Sequence, residues 1–186
     1  MNENLRQLIH IFIGIIVISM VYLIGVENTL GTLIFLLIIG VLFSNAKALG
    51  FKNPLIDRVL EQVERGVKIP GKGAITLFAG MTLILSLTPP LYAITLISIL
   101  AVGDGFSTLM GKNAELTLPW NEHKTWRGLT SFIAFSSIPA FSFLGFKGIA
   151  YAFVLGLIET IDLDLDDNLL ISISAVIITY LVVKKI

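Results

Sequence analysis

Three short stretches of the sequence hold side chains whose types and spacing suit chemistry on a phosphorylated ligand. The first is Gly103-Asp104-Gly105-Phe106-Ser107-Thr108-Leu109-Met110-Gly111-Lys112. In a helix, Asp104, Ser107, Thr108 and Gly111 fall at i, i+3, i+4 and i+7 and share one face. A carboxylate, two hydroxyls and glycines such as Gly103 and Gly111, which permit close backbone approach, make a surface for a phosphate chain and its Mg²⁺. Magnesium is commonly held by one or two carboxylates together with the phosphates themselves. A loop with a Gly-Asp-Gly turn accounts for the same letters equally well.

The second stretch runs from Leu118 to Gly128 and contains Trp120-Asn121-Glu122-His123-Lys124-Thr125-Trp126-Arg127. Lys124 and Arg127 are three apart, and at the start of a helix both can point at an anion that also meets the free N–H groups there. The alternative is a pair of anchoring cations with the two tryptophans in an interfacial belt. The third stretch, residues 159–168, places Glu159, Asp162, Asp164, Asp166 and Asp167 within nine residues with no Lys or Arg, and ends on Asn168. Carboxylates so crowded repel one another, and a divalent cation relieves the repulsion. Asp166, Asp167 and Asn168 are therefore candidate metal ligands with Asp104. The glycine and terminal glutamate of an EF-hand are missing, so this is not a calcium loop. Lys72, between Gly71 and Gly73, is a further phosphate-binding candidate, although no Walker pattern is present. His10, four residues after Arg6, reads either as a hydrogen-bonded interfacial residue or as a proton acceptor.

The elements that must position these groups follow from composition. Of 186 residues, 55% are hydrophobic and only 14% charged, with thirteen basic and thirteen acidic residues in balance. Mean hydropathy is +0.91. A soluble domain carries roughly 25% charge, so most of this exterior must be hidden from water, and a bilayer is the place to hide it. A balanced net charge excludes a nucleic-acid partner, because phosphates need a basic excess. Without cysteine, disulfides and thiolate metal sites are excluded.

Apolar runs at about 8–26, 28–43, 73–87, 90–102, 129–144, 147–158 and 169–183 predict an all-α, polytopic integral membrane protein of about seven transmembrane helices. The chain, 1–186, reads as a single membrane-embedded catalytic domain. Its first run is a retained helix: it is long, starts with Arg6 and His10, and lacks a small-x-small cleavage site. Pro89-Pro90 and Gly145 to Gly148 mark turns. With the N-terminus in the cytoplasm, ten of the thirteen Lys and Arg residues fall on the cytoplasmic side, leaving Lys147, Lys184 and Lys185 outside. All acids but Glu27 share that side, so the chemistry faces the cytoplasm. The segment at about 44–72, with Leu55, Ile56, Val59, Leu60 and Val63 against Asp57, Arg58, Glu61, Glu64 and Arg65, predicts a cytoplasmic amphipathic helix.

The order of motifs resembles the CTP-dependent lipid kinase family, which includes dolichol, phytol and polyprenol kinases and CTP-dependent diacylglycerol kinases. The resemblance lies in Arg6-x-x-x-His10, Gly103-Asp104-x-x-Ser107-x-x-x-Gly111, Pro119 to Asn121 followed by Lys124-Thr125-x-x-Gly128, and Glu159 followed by Asp166-Asp167-Asn168. It covers residues 5 to about 170. Gln7 stands where the family often has Lys, and Ser107 where it often has Ala. The resemblance implies transfer of the γ-phosphoryl group of CTP to a membrane lipid alcohol with Mg²⁺, giving a lipid monophosphate and CDP. Asp104 and the Asp166 to Asn168 group would then handle metal and phosphates, and Lys124 would pair with the triphosphate. Arg127, Lys72, Thr108 and Gly128 fit the same anion, and Glu159, or else His10, would accept the hydroxyl proton.

Two other functions compete. A membrane cytidylyltransferase would use the same nucleotide but release pyrophosphate; its K-D-x-G…G-G-x-x-D-R-x-D signature has no match here. A small membrane transporter would place charge at the midplane and show an inverted repeat, and neither is visible. The partners expected are the lipid alcohol, CTP and membrane lipids, and the short spans fit a helix-packed homodimer. Apolar runs of Ile, Leu and Phe do not distinguish an isoprenoid from a diacyl chain.

Overall fold

The structure, a computed structural model, describes residues 2–54 and 69–184. Among these, six helices follow one another: α1 (Glu3–Ala48), α2 (Lys72–Leu87), α3 (Pro90–Gly111), α4 (Trp126–Leu144), α5 (Phe146–Glu159) and α6 (Asp167–Val183). Between α3 and α4 lies a small antiparallel pair, β1 (Thr117–Leu118) and β2 (Asn121–Thr125). The chain is therefore mainly helical rather than strictly all-α. Strand β2 went unforeseen because a polar run next to an apolar helix has no period-2 alternation to betray it.

Two of the helices, α1 and α3, are long and apolar enough to cross a membrane. Seven full spans are not seen among the described residues. Helices α2, α5 and α6 have 16, 14 and 17 residues, short of the roughly 20 that cross a bilayer core. The first two apolar runs lie in the single element α1, which is non-helical at Gly25 (φ 83°, ψ 167°). A Cβ on Gly14 would lie 3.8 Å from Met81 Cε, and one on Gly40 would lie 3.6 Å from Ile75 Cγ1. Along a straight helix those glycines would stand about 39 Å apart, whereas Ile75 and Met81 are separated by only about 9 Å of rise. The chain must reverse between them, and Gly25 is where it does, since positive φ suits only glycine at little cost.

The other reversals have the causes the sequence suggested. Proline at positions 89 and 90 ends α2 and starts α3, and Gly145, at φ 57°, joins α4 to α5. Short connections make neighbouring helices antiparallel. Arg6, Lys72, Lys112, Lys124 and Arg127 consequently gather at one end of the molecule, while Lys147 and Lys184 stand at the other. Of the amphipathic segment expected at 44–72, residues 44–48 complete α1, and residues 55–68 lie outside the described residues.

Helix α3 forms the centre. Its Leu96, Ile97, Ile99 and Leu100 are fully buried against Met81 and Ile84 of α2, Phe132 of α4, Leu155 of α5 and Ile171 of α6. Small residues set the spacing of the helices. A Cβ on Gly14 would overlap that of Ala101, and one on Gly80 would overlap Ser172 Oγ. Residues 99–103 of α3 form a π-helical turn, which resets the helical phase immediately before Asp104. In contrast, the outer faces of α1 leave Phe12, Leu23, Phe35 and Leu42 more than half exposed.

The α4–α5 turn makes a sharp demand: a Cβ on Gly148 would collide with the backbone carbonyl of Ala140. Because backbone cannot swing aside, Gly148→Val should destabilise the fold by about 1–3 kcal/mol, the usual cost of overpacking. Thermal unfolding in detergent should show a Tm several degrees lower; an unchanged Tm would contradict this packing.

Candidate active site

Four helices and β2 deliver charged side chains to one end of the molecule. The phase-shifted second half of α3 brings Asp104, the last residue of α5 is Glu159, and the first residue of α6 is Asp167. One carboxylate oxygen from each of the three lies within 4.8 Å of the others. Asp104 and Glu159 are buried, and Asp167 is half-buried. Lys124 enters from β2 and bridges two of them, donating to Glu159 Oε1 at 2.5 Å and to Asp167 Oδ2 at 2.9 Å. Burial alone would lower the Lys124 ammonium, but the charges and hydrogen bonds of Glu159 and Asp167 outweigh it and hold it above the ordinary lysine range. Lys124 is thus charged at any working pH.

Ser107, one turn beyond Asp104, points its hydroxyl at the Asp104 carbonyl, 3.0 Å, and at Glu159 Oε1, 3.3 Å. The first turns of α1 close the other side. His10 Nε2 stands 3.7 Å from Asp104 Oδ2 and, although buried, has no hydrogen-bond partner. On the same face, buried Gln7 donates to Glu3 Oε1 at 2.9 Å but leaves its own Oε1 unpartnered. Two unsatisfied buried polar atoms, one helical turn apart, are costly unless a ligand meets them.

Lys124 is held in place by a tether that no motif announced. Asn121 donates from Nδ2 to the Thr160 carbonyl at 3.0 Å, and Trp120 Nε1 donates to Thr160 Oγ1 at 3.1 Å. The Asn121 side chain also accepts the His123 N–H at 2.9 Å, shaping the strand. Since Thr160 follows Glu159 directly, the hairpin is pinned to the very segment whose carboxylate Lys124 meets. Asn121 and Gln7 stand in the motif order without an assigned role, and Thr160 has none; Asn121 and Thr160 meet across 39 residues, whereas Gln7 meets the side chain of Glu3 four residues back.

Several expected ligands have contacts that serve the fold. Lys124 and Arg127 do not share a helix face, because Lys124 is in extended β2 and α4 begins only at Trp126; Lys124 turns inward and Arg127 is exposed. At the N-terminus of α4, Thr125 caps the helix by accepting the Gly128 N–H at 3.1 Å, and the Trp126 N–H donates to the Leu116 carbonyl. Gly111 and Gly128 abut: a Cβ on Gly111 would lie 3.2 Å from Gly128 Cα. Gly103 is filled by Phe132, whose ring would stand 2.6 Å from an added Cβ. These glycines let α3 and α4 approach, and they cradle one another rather than a phosphate. Thr108 is half-buried, and its carbonyl accepts the Lys112 N–H that caps α3. Asp166 caps α6 by accepting the Asn168 N–H at 3.2 Å, and Asn168 turns toward α2, donating to Thr76 Oγ1 at 3.4 Å. Asp166 is not among the three clustered carboxylates, and the Asn168 Oδ1 is buried without a partner. Lys72 is exposed, one turn before Thr76, at the same end of the molecule.

The donor set suits a hard divalent cation. Three carboxylates and one ammonium leave two formal negative charges, and all the donors are oxygens. Oxygens around Mg²⁺ at about 2.1 Å lie no more than ~4.2 Å apart, so ligation by all three carboxylates asks for a small inward movement from the 4.8 Å seen.

No protein-family model, no curated protein and no solved structure matches the chain.

Because Lys124 neutralises a buried Glu159, Lys124→Met should cost about 3 kcal/mol, the lower end for stripping one partner from a buried pair. Adding Glu159→Gln should restore part of the loss. Chemical or thermal unfolding in detergent measures both, and strictly additive effects would show that the two side chains are not coupled.

Proposed function

We propose that the protein is a CTP-dependent, Mg²⁺-requiring kinase of a membrane lipid alcohol, embedded in the membrane with its site at the cytoplasmic face. The observation that carries this reading is the convergence of Asp104, Glu159 and Asp167, from three helices, into one cluster with Lys124 at the end of the molecule where most charged side chains gather. The order of motifs that resembles the CTP-dependent lipid kinases supplies the nucleotide and the acceptor class. The exposed apolar faces of α1 support a bilayer as surroundings, since Leu23 is 82% exposed and could not be so in water at little cost.

Phosphoryl transfer asks a protein for position and charge rather than for covalent help. The acceptor hydroxyl oxygen forms a bond to Pγ, the bond from Pγ to the β,γ-bridging oxygen breaks, and CDP leaves. The chemistry that Mg²⁺ would supply here is neutralisation of the charge developing on the phosphate oxygens. Asp104, Glu159 and Asp167 would hold that ion. Lys124, already between two of these carboxylates, is placed to meet the phosphates, while Lys72 and Arg127 are exposed cations at the same end. Two groups are candidate acceptors of the hydroxyl proton: Glu159, whose Oε1 is engaged by Lys124 and Ser107, and His10, whose Nε2 is buried, unpartnered and beside Asp104.

Purified protein incubated with γ-labelled CTP, Mg²⁺ and a panel of prenols, dolichol and diacylglycerol should yield a labelled lipid and CDP. Pyrophosphate with a CDP-lipid would overturn the kinase reading, and equal turnover with ATP would overturn the choice of nucleotide. Chelation by EDTA should abolish turnover and added Mg²⁺ should restore it. Asp104→Asn should lower kcat by at least about a hundredfold, roughly 2.7 kcal/mol of barrier, with the Tm little changed.

A further inference from the structure

An apolar groove of about 230 Å³ runs between α1, α3 and α4. One of its ends is formed by Ile11 and Val102, one residue after His10 and two before Asp104. Its floor is low because the residues there are small: Gly14, Ser98 and Ala101, with Gly14 and Ala101 too close to admit another carbon. At the far end stand Ile18, Ser19 and Phe143, and Pro139 lines the α4 wall, where proline withdraws one helical hydrogen bond. The two serine hydroxyls are satisfied locally, Ser19 on the Ile15 carbonyl at 2.8 Å and Ser98 on the Thr95 carbonyl at 2.6 Å, so the groove presents no polar demand. Ile15 is 52% exposed at its edge, which leaves the groove open sideways to the surroundings of α1.

Resting on the kinase reading above, we infer that this groove seats one hydrocarbon chain of the lipid alcohol, and that the enzyme selects single-chain alcohols over two-chain diacylglycerols. Two independent measures of size agree. From Ile11 to Ile18 the helix rises about 10 Å, and an extended chain advances roughly 1.2 Å per bond, so about eight carbons fit end to end. At the ~30 Å³ that a water-sized group occupies in a liquid, the volume also holds about eight groups in single file. Two parallel chains over the same length would need about twice the space. A chain seated this way brings its hydroxyl end to Ile11 and Val102, the end of the groove nearest in sequence to His10 and Asp104.

The test separates binding from turnover. A single-chain prenol carrying a diazirine near the middle of its chain is photolysed with the purified protein in detergent, and adducts are mapped by mass spectrometry. Adducts should fall on residues 11–19 and 98–102, and excess unlabelled prenol should suppress them at least tenfold more effectively than excess diacylglycerol. Equal suppression by diacylglycerol or by phospholipid, or adducts confined to other faces of α1, would overturn the inference whatever the nucleotide does. Adducts as expected without CTP-dependent turnover would sink the kinase reading and leave the groove standing. Ser19→Phe, which fills the far end and touches no charged group, should raise KM about tenfold for alcohols longer than about ten carbons and leave kcat/KM for a five-carbon prenol unchanged. An equal loss on both would assign Ser19 to the fold and count against the groove.

Discussion

Crowding three carboxylates where water is scarce is unfavourable, and the Lys124 ammonium makes it tolerable. Its two charge-assisted hydrogen bonds, to Glu159 and Asp167, tie β2 to the end of α5 and the start of α6. The tether from Asn121 and Trp120 to Thr160 serves the same end, because an ammonium on a four-carbon stem holds a geometry only if its backbone is held. Asp104 joins the cluster through α3 and shares in its charge without being bonded to Lys124. The formal balance remains two units negative, which suits a divalent cation better than a neutral ligand.

Close helix approach is the second constraint, and it serves the site directly. Gly111 against Gly128 brings the end of α3 to the start of α4, Gly103 admits Phe132 beneath the cluster, and Gly105 admits Ile11, which sets α1 and its His10 beside Asp104. The π-helical turn at 99–103 reorients the remainder of α3, so that Asp104 faces the cluster while Leu96, Ile97, Ile99 and Leu100 stay in the core. Where Gly14, Ser98 and Ala101 present no bulk toward α4, an apolar groove remains. One device therefore both gathers the helices that carry the charged groups and leaves a groove between α1, α3 and α4.

Most of the outline was legible in the residues. Every apolar run lies within a helix, the prolines at 89 and 90 and Gly145 turn the chain, and Asp104 and Ser107 share a buried helix face as their spacing required. Glu159, Asp167, Lys124, Asp104 and His10, named for their chemistry, stand together. What misled was assigning neighbours in sequence to a common task. Asp166 and Asn168 flank Asp167 but serve as a cap and as a helix contact, since successive residues on a helix point about 100° apart. Arg127 parted from Lys124 because the backbone changes from strand to helix between them.

The sequence by itself determined the apolar character of the chain, its helical segments, its turns and the charge collected near certain helix ends, all of which depend on local composition and short-range periodicity. Tertiary structure decided which carboxylates meet, which glycines face a helix, and which polar atoms are left without a partner. Those outcomes depend on contacts between residues as far apart as His10 and Asp104, or Lys124 and Asp167, and on whether a side chain has room beside a neighbour that folding supplies. Spacing along one helix cannot encode the distance between two, because that distance is set by the smallest side chains on both.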